Sequence, residues 1–410
     1  MKPYLIYTFL ICILVTRIAG FAQEPVRLDE AIQIAIKNNG RLQTEAKSIE
    51  YRKTLLNSAL IVSPTKFNGE FGQFNSAYFD TGFGVSQNFE WPSVYKNRKL
   101  AYSQSVKSSE AGFKITETAL KQQLHELFDE FRYLRATEQL LLYQDSLFDG
   151  FLQKATLRWQ QGETDPLEKT TAEQQKINIS GKLASVSSMK EFILLDIDRL
   201  LNDGRHFIPV TDSFDILPLN MITDNKQIEH HPAVLAAALE IESAKTTTRL
   251  EKSALLPQFN IGYRNVGIRG TGADNIVYGI ADRFSSFQIG MDIPVFRKGY
   301  QSAVKAARIQ EEVKSIAYET LKTEIETRIR QQYLLYQQTL SQINQYKGQS
   351  LPNAKVIRSV TEKKFSGGEI NYLELVLLTN QAIQIETDYL ALIRKVNNCI
   401  INLHFLNRPE

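Results

Sequence analysis

The sequence has almost no cysteine. Cys12 and Cys399 are the only two in 410 residues. Cys12 lies inside a short N-terminal apolar run and not beside a small residue at its end, which argues against lipid attachment; Cys399 then stands alone, and no internal disulfide framework can form. Histidine is scarce too. His125, His206, His230, His231 and His404 show no repeated metal-ligand spacing, and His125-Glu126-Leu127-Phe128-Asp129 lacks the second histidine of a zinc-protease helix. With no Gly-rich phosphate loop or nucleophile elbow either, no catalytic, cofactor-binding or metal-binding residue is expected and the chain does not read as an enzyme. An excess of one charge is also missing: 48 Lys and Arg face 45 Asp and Glu, interspersed along the chain, which is no nucleic-acid footprint. No apolar run approaches the about 20 residues that a membrane helix needs. The run at 4–15 follows Lys2 and precedes Gly20-Phe21-Ala22, the pattern of a secretory signal over residues 1–22 with the mature chain starting near Gln23.

What is present is a duplication. Leu60-Ile61-Val62-Ser63-Pro64-Thr65-Lys66-Phe67 is answered by Ala254-Leu255-Leu256-Pro257-Gln258-Phe259, and Phe89-Glu90-Trp91-Pro92 by Met291-Asp292-Ile293-Pro294. Gly162-Glu163-Thr164-Asp165-Pro166-Leu167-Glu168 returns as Gly368-Glu369-Ile370-Asn371-Tyr372-Leu373-Glu374. Three landmarks recur in one order, so the repeating unit is a helix, two strands, a very long helix, a turn and a return helix. The expected division is a first repeat over 23–205, a linker over 206–227 and a second repeat over 228–410. The linker has Pro209, Pro218 and no sustained period.

Within each repeat a helix stops just before a proline, Pro64 or Pro257, as the pre-proline residue is pushed out of the helical region. Strands follow within about 65–91 and about 258–293. They alternate: Phe83, Val85, Phe89 and Trp91 oppose Gly84, Ser86, Asn88 and Glu90, and Phe287, Ile289, Met291 and Ile293 oppose Ser286, Gln288, Gly290 and Asp292. A half-buried soluble sheet and a membrane barrel share this alternation. The longer spacing between the two bounding prolines in the second repeat predicts the larger outer loop there.

Long helices are expected over about 95–160 and about 299–365. Val106, Phe113, Leu120, Leu127, Leu134, Leu141, Phe148 and Ala155 recur at sevens, a coiled-coil seam. In the second, Ile325, Ile329, Tyr333, Tyr336, Leu340 and Ile343 step by threes and fours, and Pro352 predicts a kink. At about 1.5 Å per residue such helices reach on the order of 100 Å. The fold class is mainly α with a small β part.

This duplicated order, with the Ile293-Pro294-Val295-Phe296-Arg297-Lys298-Gly299 exit from the fourth strand, resembles the TolC-like family of outer-membrane efflux proteins over nearly the whole mature chain. The resemblance implies a homotrimer in outer-membrane lipid. Four strands per chain would close a 12-stranded barrel, and the helices would form a hollow periplasmic cylinder. It further implies a periplasmic adaptor protein and an inner-membrane pump, of the RND type. Carried over by position, the adaptor-docking turns are Gly162, Glu163, Thr164, Asp165 and Leu167 in the first repeat. In the second they are Gly367, Gly368, Glu369, Ile370 and Asn371. Tyr372, Leu373, Glu374 and Leu377 are the aperture candidates. The family often has an acidic residue where Leu377 stands and a basic one where Ile370 stands, so an apolar constriction competes with one held by charge. The alternative function is a soluble periplasmic coiled-coil adaptor or scaffold, which would use the same heptads without needing two aromatic hairpins.

Overall fold

The computed structural model describes residues 24–74, 77–210, 213–219 and 225–407. The expected signal segment 1–22, and Cys12 within it, lie outside the described residues. In chain order the elements are β1 (Glu24–Val26), α1 (Leu28–Asn38), α2 (Gly40–Asn57), β2 (Lys66–Gly72), β3 (Asp80–Phe89), α3 (Pro92–Gln160) and α4 (Pro166–Leu201). Then follow β4 (Phe207–Pro209), α5 (Pro232–Ser253), β5 (Gln258–Gly267), β6 (Gly270–Thr271), β7 (Val277–Tyr278), β8 (Arg283–Asp292), α6 (Lys298–Gln345), α7 (Leu351–Ser366) and α8 (Tyr372–Asn407). The helix, hairpin, long helix, helix order is thus present twice. Contacts group the chain into two units. One holds residues up to Thr44, Lys114–His231 and Thr323 onward; the other holds Glu45–Phe113 and Pro232–Lys322.

The second unit contains the sheet. Its strands run in the order β2-β3-β5-β8, all antiparallel, with Phe89 opposite Phe259 and Tyr263 opposite Phe287. The register puts Phe67, Phe71, Phe83, Val85, Ile261, Tyr263, Phe287, Ile289 and Met291 on one face. Asn68, Glu70, Gly82, Gly84, Ser86, Asn260, Arg264, Ser286 and Gln288 share the other. The apolar face is bare: Phe287 is 83% exposed and Ile289 86%. On the polar face Arg264 reaches across β3 to Glu70, and a Cβ at Gly82 would lie 3.3 Å from that carboxylate, so glycine here makes room for a side chain lying flat on the sheet. Within this unit the helices pair through ion pairs, Lys53 of α2 with Glu110 of α3 at 2.9 Å and Lys314 of α6 with Glu240 of α5 at 3.1 Å.

The first unit is mainly helical; α3 begins in the second unit, which holds its heptad positions Val106 and Phe113. Of the eight heptad positions Val106, Leu120, Leu134, Leu141, Phe148 and Ala155 are buried, Phe113 and Leu127 partly so. In α6 only Ile325 and Ile343 of the six expected seam positions are buried. The kink predicted at Pro352 is a π-helical turn at Tyr346–Ser350 that separates α6 from α7. Proline has no N–H to donate and crowds the carbonyl four residues back, and one wider turn absorbs both problems. The α1 to α2 break is closed by Asn39, whose Oδ1 accepts from Arg41 N (3.0 Å) and whose Nδ2 donates to Leu200 O (3.0 Å) at the end of α4. Within the segment expected to lack regular structure, Phe207–Pro209 pairs in parallel with Glu24–Val26. Nearby, buried Asn397 of α8 accepts from Leu217 N (2.9 Å) and donates to Asp215 O (3.0 Å) and Asp129 Oδ1 (3.1 Å).

Candidate docking and gating site

The two turns between α3 and α4 and between α7 and α8 have the same local build. Gly162 and Gly368 both take φ 74°, the left-handed conformation that glycine adopts most readily. Glu163 N donates to Arg158 O (2.9 Å) and Gly162 N to Trp159 O (3.1 Å); Glu369 N donates to Lys364 O (2.9 Å) and Gly368 N to Phe365 O (3.1 Å). These are paired Schellman closures, which satisfy the last carbonyls of α3 and α7. The next helices are capped differently. Asp165 Oδ1 accepts from Leu167 N at 2.8 Å with Pro166 in the first helical turn. Asn371 and Glu374 form a reciprocal pair: Asn371 Oδ1 accepts from Glu374 N (2.9 Å), and Glu374 Oε2 accepts from Asn371 N (3.0 Å).

Beneath the turns lies a core of Phe148, Phe151, Ala172, Ile179, Tyr372, Leu375 and Ile383. Tyr372, offered as an aperture residue, is the centre of that core. Its side chain is 0% exposed, so it has no surface to present to an aperture. Burial, with the Glu168 carboxylate nearby, raises its phenol well above the usual range and keeps it neutral. Its hydroxyl has no hydrogen-bond partner among the described residues. Leu373 and Leu377, in contrast, are exposed, Leu377 at 68%. Glu374 is on the surface but engaged as a cap.

Between the turns is a groove of about 820 Å³ lined by Lys154, Leu157, Arg158, Glu168, Phe365, Ser366, Gly368, Glu369, Ile370, Asn371 and Glu374. Of the expected docking residues it brings together Gly368, Glu369, Ile370 and Asn371. Gly162, Glu163, Thr164, Asp165, Leu167 and Gly367 are not among its lining. Sequence reading missed Arg158, whose Nη1 lies 3.3 Å from Glu168 Oε2 and which ties the end of α3 to the start of α4. The available signal was a basic residue four before Gly162 and an acid six after it. Lys169 lies over the Trp159 ring at 4.5 Å, a second tie across the same turn. No group of three or more metal-ligating side chains occurs among the described residues.

Residues 225–398 match the family model of the outer membrane efflux protein. No curated protein matches the sequence. Solved structures match over nearly the full length: CusC at 15% identity, TM-score 0.77, covering 95% of this chain and 94% of that one. The CmeC outer membrane channel of Campylobacter jejuni matches at 14% identity, TM-score 0.77, covering 93% and 85%. The outer membrane protein VceC of Vibrio cholerae matches at 12% identity, TM-score 0.74, covering 93% and 96%. The sequence of the outer membrane efflux protein family is thus carried by residues 225–398, and the fold of these outer-membrane channels extends over nearly the whole chain.

Proposed function

We propose that three copies of the chain form the outer-membrane conduit of a tripartite efflux system, through which substrates pass passively from an inner-membrane pump and periplasmic adaptor to the exterior. Efflux channels of this family act as trimers with such partners. The observation that carries the reading is the sheet. Its apolar face is bare and both of its edges, β2 and β8, are unpaired in one chain. Joining β8 of one copy to β2 of the next gives 12 strands with no edge, an apolar outside for lipid and a polar inside for water.

In this reading the Gly162 and Gly368 turns receive the adaptor, with Gly162, Glu163, Thr164, Asp165 and Leu167 at one turn and Gly367, Gly368, Glu369, Ile370 and Asn371 at the other. Leu373 and Leu377 form an apolar aperture, and Glu374 supports it by holding the first turn of α8. A pump of the RND type supplies the energy. The test is fractionation followed by bilayer recording. The protein is expected in the outer membrane, extracted by detergent as a trimer and poorly conducting, with conductance rising in Leu373→Ser/Leu377→Ser. Recovery in the soluble periplasm would sink the channel reading in favour of a scaffold; high conductance of the unaltered protein would remove the apolar aperture.

A further inference from the structure

The outer loop of the second repeat, residues 268–282, is longer than its counterpart at 73–79, and it is folded. Within it β6 and β7 pair, with Gly270 opposite Tyr278 and Thr271 opposite Val277. The Asp274 carboxylate fixes the turn by accepting from Ile276 N (3.1 Å) and from the Tyr278 hydroxyl (2.5 Å). Gly272 is required for the close approach, since a Cβ there would lie 2.6 Å from the Tyr278 ring.

Two observations say where this hairpin leans. The Tyr278 ring packs edge-on against Phe284 with centroids 5.1 Å apart. Phe284 stands opposite Val266 and belongs to the row of Ser286 and Gln288, the polar face of the sheet. The hairpin is therefore fastened to the side that faces the lumen once the barrel closes. What it holds out is apolar: Val277 is 74% exposed, Ile280 73% and Ile276 56%. A loop made rigid by its own hydrogen bonds that displays three β-branched side chains to water lacks a covering surface. The loop also runs directly into β8, the open edge at which the next copy joins.

We infer that in the assembled trimer the three 268–282 hairpins lean over the outer mouth of the barrel and cover Ile276, Val277 and Ile280 on one another, forming an apolar outer constriction. This rests on the sheet being one third of a barrel. Five extended residues reach on the order of 16 Å, and a 12-stranded barrel falls between the eight-stranded barrels that side chains fill and the wide porins. A hairpin of this length is enough to narrow it. The occupant of the apolar surface is the chain itself in two further copies.

The experiment places a thiol below the constriction, Ser286→Cys on the polar face, and treats whole cells with a bulky maleimide-polyethylene glycol or a small charged maleimide. The small reagent is expected to label Cys at this position with or without the apolar loop residues. The bulky one is expected to label it slowly with the native loop and several-fold faster when Ile276, Val277 and Ile280 are all serine. Equal rates with the bulky reagent would overturn the constriction and leave the channel reading intact. Failure of both reagents in both proteins would overturn the lumen assignment and the channel reading with it. A second measurement needs only one change: Val277→Cys, oxidised in the assembled protein, is expected to link copies to one another. Absence of such links would overturn the contact between hairpins.

Discussion

At the scale of single residues, two side chains in the helical unit, buried Tyr372 and half-buried His125, each carry a prediction. Tyr372 fills the core under the turns but leaves its hydroxyl without a partner among the described residues. An unsatisfied buried polar group costs about 1–3 kcal/mol. Tyr372→Phe is therefore expected to leave thermal stability of the protein unchanged or raise it, while Tyr372→Ala loses about 3–5 kcal/mol of packing. A marked fall in melting temperature for the phenylalanine variant would show that the hydroxyl is engaged. His125 is the second case. It packs against His404 and Phe405, with ring centroids 6.3 and 5.3 Å away. Burial first, then the charge of His404, with a smaller opposing effect from Asp29, brings its pKa down to about 4. Unfolded, the imidazole titrates near its ordinary value of about 6.5. The unfolded chain thus binds the extra proton between those limits. Stability is full above about 6.5 and falls as pH drops toward 4, by at most about 3 kcal/mol. Buried Asp129 has its pKa raised, and its contribution has the opposite sign, being lost as pH rises. His125→Gln should isolate the first effect: denaturation midpoints between pH 4 and 6.5 become flatter than in the native protein, and an unchanged slope would refute the assignment.

At the scale of elements, sequence pattern and structure part company where tertiary packing or a second chain decides. Hydrophobic sevens identify α3 because one stripe of a long helix has to be covered whatever covers it, and six of the eight positions are buried within one chain. The corresponding stripe of α6 is mostly open, with Tyr333 exposed. Strand alternation identified both hairpins and their two unlike faces, while the order β2-β3-β5-β8 came only with the structure. The turn glycines were legible because φ 74° has few alternatives to glycine. Burial of Tyr372 was not legible, since a tyrosine beside a turn reads equally well as surface. Nor was the π-turn, where proline announced a kink without its form. There a prediction is direct. Pro352→Ala restores an N–H and removes the crowding at Gly348, so Tyr346–Ser350 should revert to α-helical bonding. Amide exchange across 346–350 is expected to slow in that variant; unchanged or faster exchange would mean that neighbouring helices, and not the proline, impose the wide turn.

At the scale of the whole molecule, the sheet of one chain presents two unlike faces and two open edges. β8 carries Phe287 and Ile289 almost wholly exposed on one face, while Gln288 between them points to the other. In a soluble sheet awaiting a partner protein, a charge at either position would disturb only a local contact. In a lipid-facing barrel the two faces are unequal: an arginine near the bilayer midplane costs about 2–4 kcal/mol on the lipid side and little on the lumen side. That cost recurs in each of three copies. Ile289→Arg is therefore expected to deplete assembled trimer from the outer membrane, whereas Gln288→Arg, one residue away on the same strand, leaves the amount near normal and alters the conductance. Quantifying trimer in outer-membrane fractions decides it. Equal depletion by both changes would mean that β8 responds to charge irrespective of face, which no lipid-facing barrel strand with this register can do.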